Sequence, residues 1–266
     1  MSAWGSGRWA GPSGASTGTA TFLWEKVLDI DFALEDDQAL DGGNLTLTNQ
    51  VTGDPVVLAG QTVAIVSGAL VMTAAASSNL SVSSASTRSA ALLGAAMTTL
   101  WPGFDGHPIR WGAELTAAPT FDATNRAWGV FAENATGLGG GNAGAGFSAE
   151  VRATGVGTAT RQTRWQTGSG ANVVSMSTTA YATGLVCGLG LDGSGPVGLW
   201  SLTAGDAGKL DVVTPLGGVG TTGSSTGGTA QVGVSRLGVF AAASAAGSFV
   251  VSVGRLVLWA RVARVA

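Results

Sequence analysis

Hydrophobic and polar positions alternate along much of this chain with a period of two. From Val27 to Phe32, apolar Leu28, Ile30 and Phe32 are separated by Asp29 and Asp31, the signature of a half-buried strand. Asp41-Gly42-Gly43-Asn44 then reads as a turn, followed by Leu45-Thr46-Leu47-Thr48, again at period two. Gly53-Asp54-Pro55 punctuates before Val56-Val57-Leu58. Residues 56–76 are uncharged, but Gln61, Thr62, Ser67 and Thr73 interrupt them and Gly60 and Gly68 fall where turns would. That pattern predicts buried strands rather than a membrane-spanning helix.

Further along, short β-like runs repeat between glycine-rich stretches. They are Ile109 to Thr116, Ala127 to Ala132, Gly146 to Ala153 and Arg161 to Gln166. Leu185 to Leu191 places Leu185, Cys187, Leu189 and Leu191 on one face; Asp192-Gly193-Ser194-Gly195 then turns into Val197-Gly198-Leu199-Trp200, a hairpin signature. Arg236 to Ala241 and Phe249 to Val262 read as closing strands. Residues 88–98 are the best place for a short helix, weakened by Gly94. Gly137 to Gly146 and residues 217–230 are low-complexity surface loops. The predicted fold class is all-β, an antiparallel β-sandwich of jelly-roll type over residues 22–266, preceded by a Gly/Ser-rich N-terminal arm at 1–21.

Composition sharpens this picture. Charged residues are 11% of the 266 and hydrophobic ones 45%, so the surface is dressed in Ser, Thr, Gly, Asn and Gln, with little repulsion between copies. Net charge is −3 without a basic stripe, which argues against a nucleic-acid partner. The single cysteine, Cys187, excludes an internal disulfide and is expected buried. The start lacks a basic region followed by an apolar one, so no signal peptide is expected.

The runs "GLVCGLGLDGSGPVGLWSLTAG" and "SRLGVFAAASAAGSFVVSVGRLVLWAR" resemble the C-terminal half of concanavalin A-like, laminin-G-like jelly rolls over residues 184–262. In that family a strand ends in an Asp-Gly turn, the next carries an aromatic, and a Leu-Gly-Val-Phe strand precedes the last one. The Ala, Gly and Thr richness is similar to bacteriophage tail and capsid-decoration modules. The resemblance implies a sandwich whose members often bind sugars, although the lectin calcium motifs are not reproduced.

Catalytic motifs are present only by pattern. Three segments fit G-x-G-x-x-G (Gly139 to Gly144, Gly188 to Gly193, Gly218 to Gly223), but 43 glycines make such matches cheap and no helix follows them. Gly223 to Gly227 fits G-x-S-x-G, yet the sole histidine, His107, precedes it, opposite to the order a nucleophile elbow needs. Glu114, Glu133 and Glu150 lie in separate runs and form no close acidic pair on one strand, which leaves a pair in space open. Asp36, Asp37 and Asp41 lack calcium-loop spacing. No catalytic residue, metal site or cofactor is expected.

The densest polar-aromatic cluster is Trp101, Phe104, Asp105, His107, Arg110 and Trp111. Indoles stack on sugar faces and the polar groups bind hydroxyls, so it is the candidate glycan-binding or interface site; a segment anchored by its own aromatics is the competing reading. Arg126 with Trp128 and Trp259 with Arg261 would share strand faces and anchor interfaces. Trp4 and Trp9 in the arm are the candidate assembly anchor, expected to pack on another chain. The resulting expectation is a bacteriophage virion surface protein, made in the host cytoplasm, in capsid decoration or a tail fibre. Its partners would be itself (a homo-oligomer, a trimer favoured), other virion proteins and a host surface glycan, without membrane insertion. A lectin-like carbohydrate-binding module is the alternative, and a glycan hydrolase or lyase a further one.

Overall fold

A computed structural model describes residues 21–60, 63–75, 78–84, 104–122, 126–133, 146–167, 170–177, 186–191, 197–201, 209–211, 236–243 and 247–264. The arm with Trp4 and Trp9, the 88–98 helix and the 217–230 loop lie outside them, as do residues 137–145. In chain order the strands are β1 (Thr21–Asp31), β2 (Gln38–Ala39), β3 (Asn44–Thr48), β4 (Pro55–Gly60), β5 (Val63–Val66), β6 (Ala69–Ala74), β7 (Ser78–Ser84) and β8 (Phe104–Leu115). They continue as β9 (Arg126–Glu133), β10 (Gly146–Gly155), β11 (Thr158–Thr167), β12 (Gly170–Ser177), β13 (Val186–Leu191), β14 (Val197–Ser201), β15 (Arg236–Ala243) and β16 (Phe249–Arg264). Short 3-10 turns occupy Phe32–Leu34 and Lys209–Asp211. No helix among the described residues is long and apolar enough to cross a membrane.

The strands form two antiparallel sheets. Sheet A runs β14-β13-β8-β16-β6-β5-β2, with β1 also paired to β16; sheet B runs β12-β11-β10-β9-β15-β7-β4-β3. Their facing sides close on one core holding Ile30, Phe32, Leu45, Leu47, Ile65, Leu70, Met72, Trp111, Trp128, Val130, Val239, Phe249, Leu256 and Leu258. The chain is thus an all-β antiparallel sandwich. The alternation of Val27 to Phe32 is realised: Leu28, Ile30 and Phe32 are buried in that core. The uncharged 56–76 stretch forms β4, β5 and β6, and the Asp192-Gly193 signal joins β13 to β14 with Leu191 opposite Val197.

β16 is sixteen residues long and changes partner along one edge. Phe249 to Val253 pair with β6, and Arg255 to Arg264 pair with β1, while β8 lines the other edge. The register to β8 shifts between Val253 and Arg255, around Gly254. A bulge of this kind reverses which residues face the core: Val251 and Val253 point in before it, Leu256, Leu258 and Ala260 after it. Glycine suits the position, since a Cβ at residue 254 would meet Thr116 Cγ2 at 3.0 Å. A second register shift, between Ala260 and Val262, lies near Pro108 of β8, whose missing N–H cannot join the ladder.

The sandwich is sealed along one side by a side chain. Gln38, on edge strand β2 of sheet A, donates Nε2 to Thr46 O (3.1 Å) and accepts from Thr46 N at Oε1 (3.3 Å) on edge strand β3 of sheet B. Glu35 Oε1 accepts from Thr48 N at 2.8 Å. These groups take the ladder positions where another strand would pair. Gln38→Ala is expected to cost about 1–2 kcal/mol, two net hydrogen bonds, and to expose the β3 edge. Thermal melts should show the loss, and light scattering should show more concentration-dependent association than in the unmodified protein.

Candidate functional site

Of the polar-aromatic cluster, Trp111 alone is described at its side chain, and it lies in the core. Phe104, Asp105, His107, Arg110 and Trp111 all belong to the single strand β8. Trp111 is a core residue, 2% exposed, and its indole Nε1 donates to Gly238 O of β15 at 3.0 Å, joining the two sheets. A ring so enclosed offers no face to a sugar, which corrects its expected role. Trp101 and the side chains of 104–110 lie outside the described residues. Arg126 and Trp128 are corrected likewise: both are buried within this chain and cannot anchor an interface. Arg126 donates to Gly247 O (3.2 Å) and pairs with Asp122 (3.2 Å). Gly247, at φ +96°, admits the guanidinium where a Cβ would stand 2.9 Å from it.

The three glutamates remain apart on the backbone. Glu114 sits on β8 of sheet A, Glu150 and Glu133 on β10 and β9 of sheet B. Glu133 pairs with Gly146 and Glu150 with Gly129, four residues along β10, or about 13 Å at the strand rise. Glu150 is fully buried and pairs with Arg152 Nε at 2.9 Å. Among the described residues no group of His, Cys, Asp and Glu is arranged to hold a metal.

The outer face of sheet A is where chemistry gathers. Directly opposed residues share a face, so the registers lay out three rows. Asp31, Arg255, Glu114 and Val186 form the first; Asp29, Val257, Gly112, Gly188 and Trp200 the second; Lys26, Trp259, Arg110, Gly190 and Gly198 the third. Gly112, Gly188, Gly190 and Gly198 therefore adjoin on three strands and leave a strip floored by backbone, between Trp259 and the register position of Trp200.

At the β1–β16 end of this face lies a four-charge cluster. Asp29 Oδ1 and Oδ2 accept from Arg255 Nε (2.8 Å) and NH2 (2.6 Å), and Oδ2 also accepts from Lys26 Nζ (3.0 Å). Asp211, from the 3-10 turn, accepts from Arg255 NH1 (3.0 Å) and NH2 (2.7 Å) and from Lys26 Nζ (2.8 Å). Lys26 Nζ also stands 5.6 Å from the Trp259 ring centroid, a cation–π distance. Trp259 Nε1 donates to Leu210 O at 3.0 Å, and Leu210 is buried. Residues 209–211 thus form a strap across sheet A. Val257, fully buried although it faces away from the main core, sits between the strap's two anchors, Arg255 and Trp259.

Protonation follows from these bonds. Burial alone would raise the Asp29 carboxyl, but hydrogen bonds from Arg255 and Lys26 outweigh it and hold it below the usual carboxylate range. Asp211 is held well below that range by Arg255, against some opposing burial, with help from Lys26. Arg255 is raised in turn by Asp29 and Asp211. The sequence marked Asp29 as a solvent-facing residue and did not single out Asp211 or Arg255. The available signal was Lys209-Leu210-Asp211, two charges in three residues of a chain that is 11% charged.

No protein-family model matches the sequence, and no curated protein sequence matches it. Among solved structures it is similar to botulinum neurotoxin type C, which depends on interaction with two ganglioside molecules to enter cells; the TM-score is 0.48 and identity 6%, over 88% of this chain and 47% of that one. It is also similar to the botulinum neurotoxin serotype C1 binding domain, with TM-score 0.43 and identity 8%, over 88% and 48%. The chain spans about half the length of each.

Two outcomes are expected. Trp111→Ala should lose about 3–5 kcal/mol in denaturant unfolding, as a core truncation. Asp211→Asn should lose about 1 kcal/mol, near 2–4 °C in Tm for a half-exposed partner. Because both carboxyl pKa values are lowered by folding, the cluster's contribution is complete above the ordinary carboxylate pKa of about 3.9 and is lost as pH falls through the lowered values. The Tm gap between the two proteins should be constant from about pH 8 to 5 and shrink below about pH 4. A gap that widens with acid would refute the assignment.

Proposed function

We propose that the protein is a non-catalytic carbohydrate-binding module, with the outer face of sheet A as its recognition surface. The observation that carries this reading is the glycine-floored strip between Trp259 and the register position of Trp200. Glycine inside a strand costs roughly 0.5–1 kcal/mol against alanine. A cluster of four on adjoining strands therefore marks a place where something approaches the sheet closely. The strap contacts β8 and is bonded to Arg255 and Trp259 of β16; on this reading Gly188, Gly190 and Gly198 receive the ligand. A pyranose fits such a strip: its flat C–H face packs on the glycine floor beside the Trp259 indole, and its hydroxyls reach polar groups at the rim. The separation of Glu114, Glu133 and Glu150 and the ion pairing of Glu150 support recognition without hydrolysis.

A virion surface role is the second reading, favoured by the 11% charge content, which suits a surface packed against neighbours. Particle binding and gel filtration test it, and it is compatible with glycan recognition.

Glycan-array screening of the intact protein should give a saccharide signal. Gly190→Val and Gly198→Val, which fill the strip with residues that favour strands, should weaken it at least tenfold, equivalent to 1.4 kcal/mol. Val156→Ser, at an exposed turn of sheet B, should leave it unchanged. Absence of any signal, or full binding by both valine variants, would overturn the proposal.

A further inference from the structure

We infer that Leu210–Asp211 is an internal ligand of the outer face of sheet A, and that the position it fills takes a saccharide bearing a carboxylate. The inference rests on the carbohydrate-binding reading above. The strap is held by three unlike contacts: an apolar side chain, Leu210, is buried; a neutral acceptor, Leu210 O, takes the Trp259 indole N–H; a carboxylate, Asp211, takes Arg255 and Lys26. A hexuronic acid carries the same three features in one small molecule. Its C–H face would take the place of the buried Leu210 side chain, a ring oxygen would accept from Trp259 Nε1, and its planar carboxylate would meet the guanidinium edge as Asp211 does.

The two aspartates are not equivalent. Asp29 is the inner partner, its side chain 9% exposed, and it is fixed to β1, with its own backbone N–H held by Asn49 Oδ1 at 3.1 Å. Asp211 closes the cluster from outside with a side chain 49% exposed. Asp29 balances one of the two cations, and Asp211 balances the other. Glu114 flanks Arg255 on β8, and Asp31 flanks it on β1, where its carboxylate caps Ala33 N.

An internal competitor weakens the external ligand by its own effective concentration, in the millimolar range for short tethers. Removing its charge therefore has the opposite sign from damaging a binding site. Calorimetric titration should show methyl glucuronide binding Asp211→Asn at least tenfold more tightly than the unmodified protein, with methyl glucoside binding unchanged. Arg255→Ala should lose the glucuronide preference. A measurement on the unmodified protein avoids any folding defect. Only Lys26 and Lys209 are lysines, so a lysine-specific protease reads the strap directly, and glucuronide but not glucoside should accelerate cleavage after Lys209. If neutral sugars bind while Asp211→Asn gains nothing for glucuronide and cleavage is unaffected, this inference falls and the carbohydrate reading stands. If no sugar binds either protein, both fall.

Discussion

Strand β16 must satisfy three neighbours at once, and it does so by changing phase at Gly254. Before the bulge, Val251 and Val253 feed the core beside β6; after it, Leu256, Leu258 and Ala260 feed the same core beside β1. A strand without the bulge would have carried Arg255 and Val257 inward and left Leu256 and Leu258 on the outside, because side chains alternate without exception along an unbroken ladder. The burial of an arginine without a partner would have cost several kcal/mol. The same shift puts Arg255, Val257 and Trp259 in one line on the outer face, where β1 supplies Lys26 and Asp29 after a register shift of its own around Val27. The charged cluster and the anchors of the strap are therefore set by backbone phase in this pair of strands.

The outer face of sheet A combines two kinds of surface. At the β1–β16 end it is closed by paired charges and a buried leucine. Toward β13 and β14 it is floored by glycine. The ion pairs alone contribute modestly, since Asp211 is half exposed and solvent screens it. What they supply is position: two cations on different strands, each bonded to both aspartates, fix where an acidic group can lie on the sheet.

Much of the fold was legible because period-two alternation translates directly into a strand with one buried face. Leu28, Ile30 and Phe32, and likewise Leu45 and Leu47, show it, and Asp-Gly turn chemistry located the β13–β14 hairpin. The site was less legible for a physical reason. Alternation tells inward from outward, but an outward position is wet only if nothing lies over it. Asp29 alternates like a solvent-facing residue, yet Arg255, 226 positions away, reaches it. Trp111 failed in the opposite direction. Its aromatic and polar neighbours in sequence suggested a surface cluster, whereas the phase of β8 turns it toward Gly238 on the other sheet.

The Gln38 amide carries a consequence for symmetry. With Gln38 and Glu35 bonded to Thr46 and Thr48, the outward ladder positions of β3 are filled and sheet B cannot be extended at that edge. Among the described strands, edge-to-edge contact through sheet B is left to its opposite end, β12. A contact that uses the same edge on both copies is self-complementary: it closes as a two-fold pair and presents no further edge to a third. A propagating filament needs two different open edges on every subunit. By blocking β3, two side chains leave sheet B with β12 as its one open edge among the described strands: a two-fold pair through β12 remains, and continuous growth through sheet B alone does not.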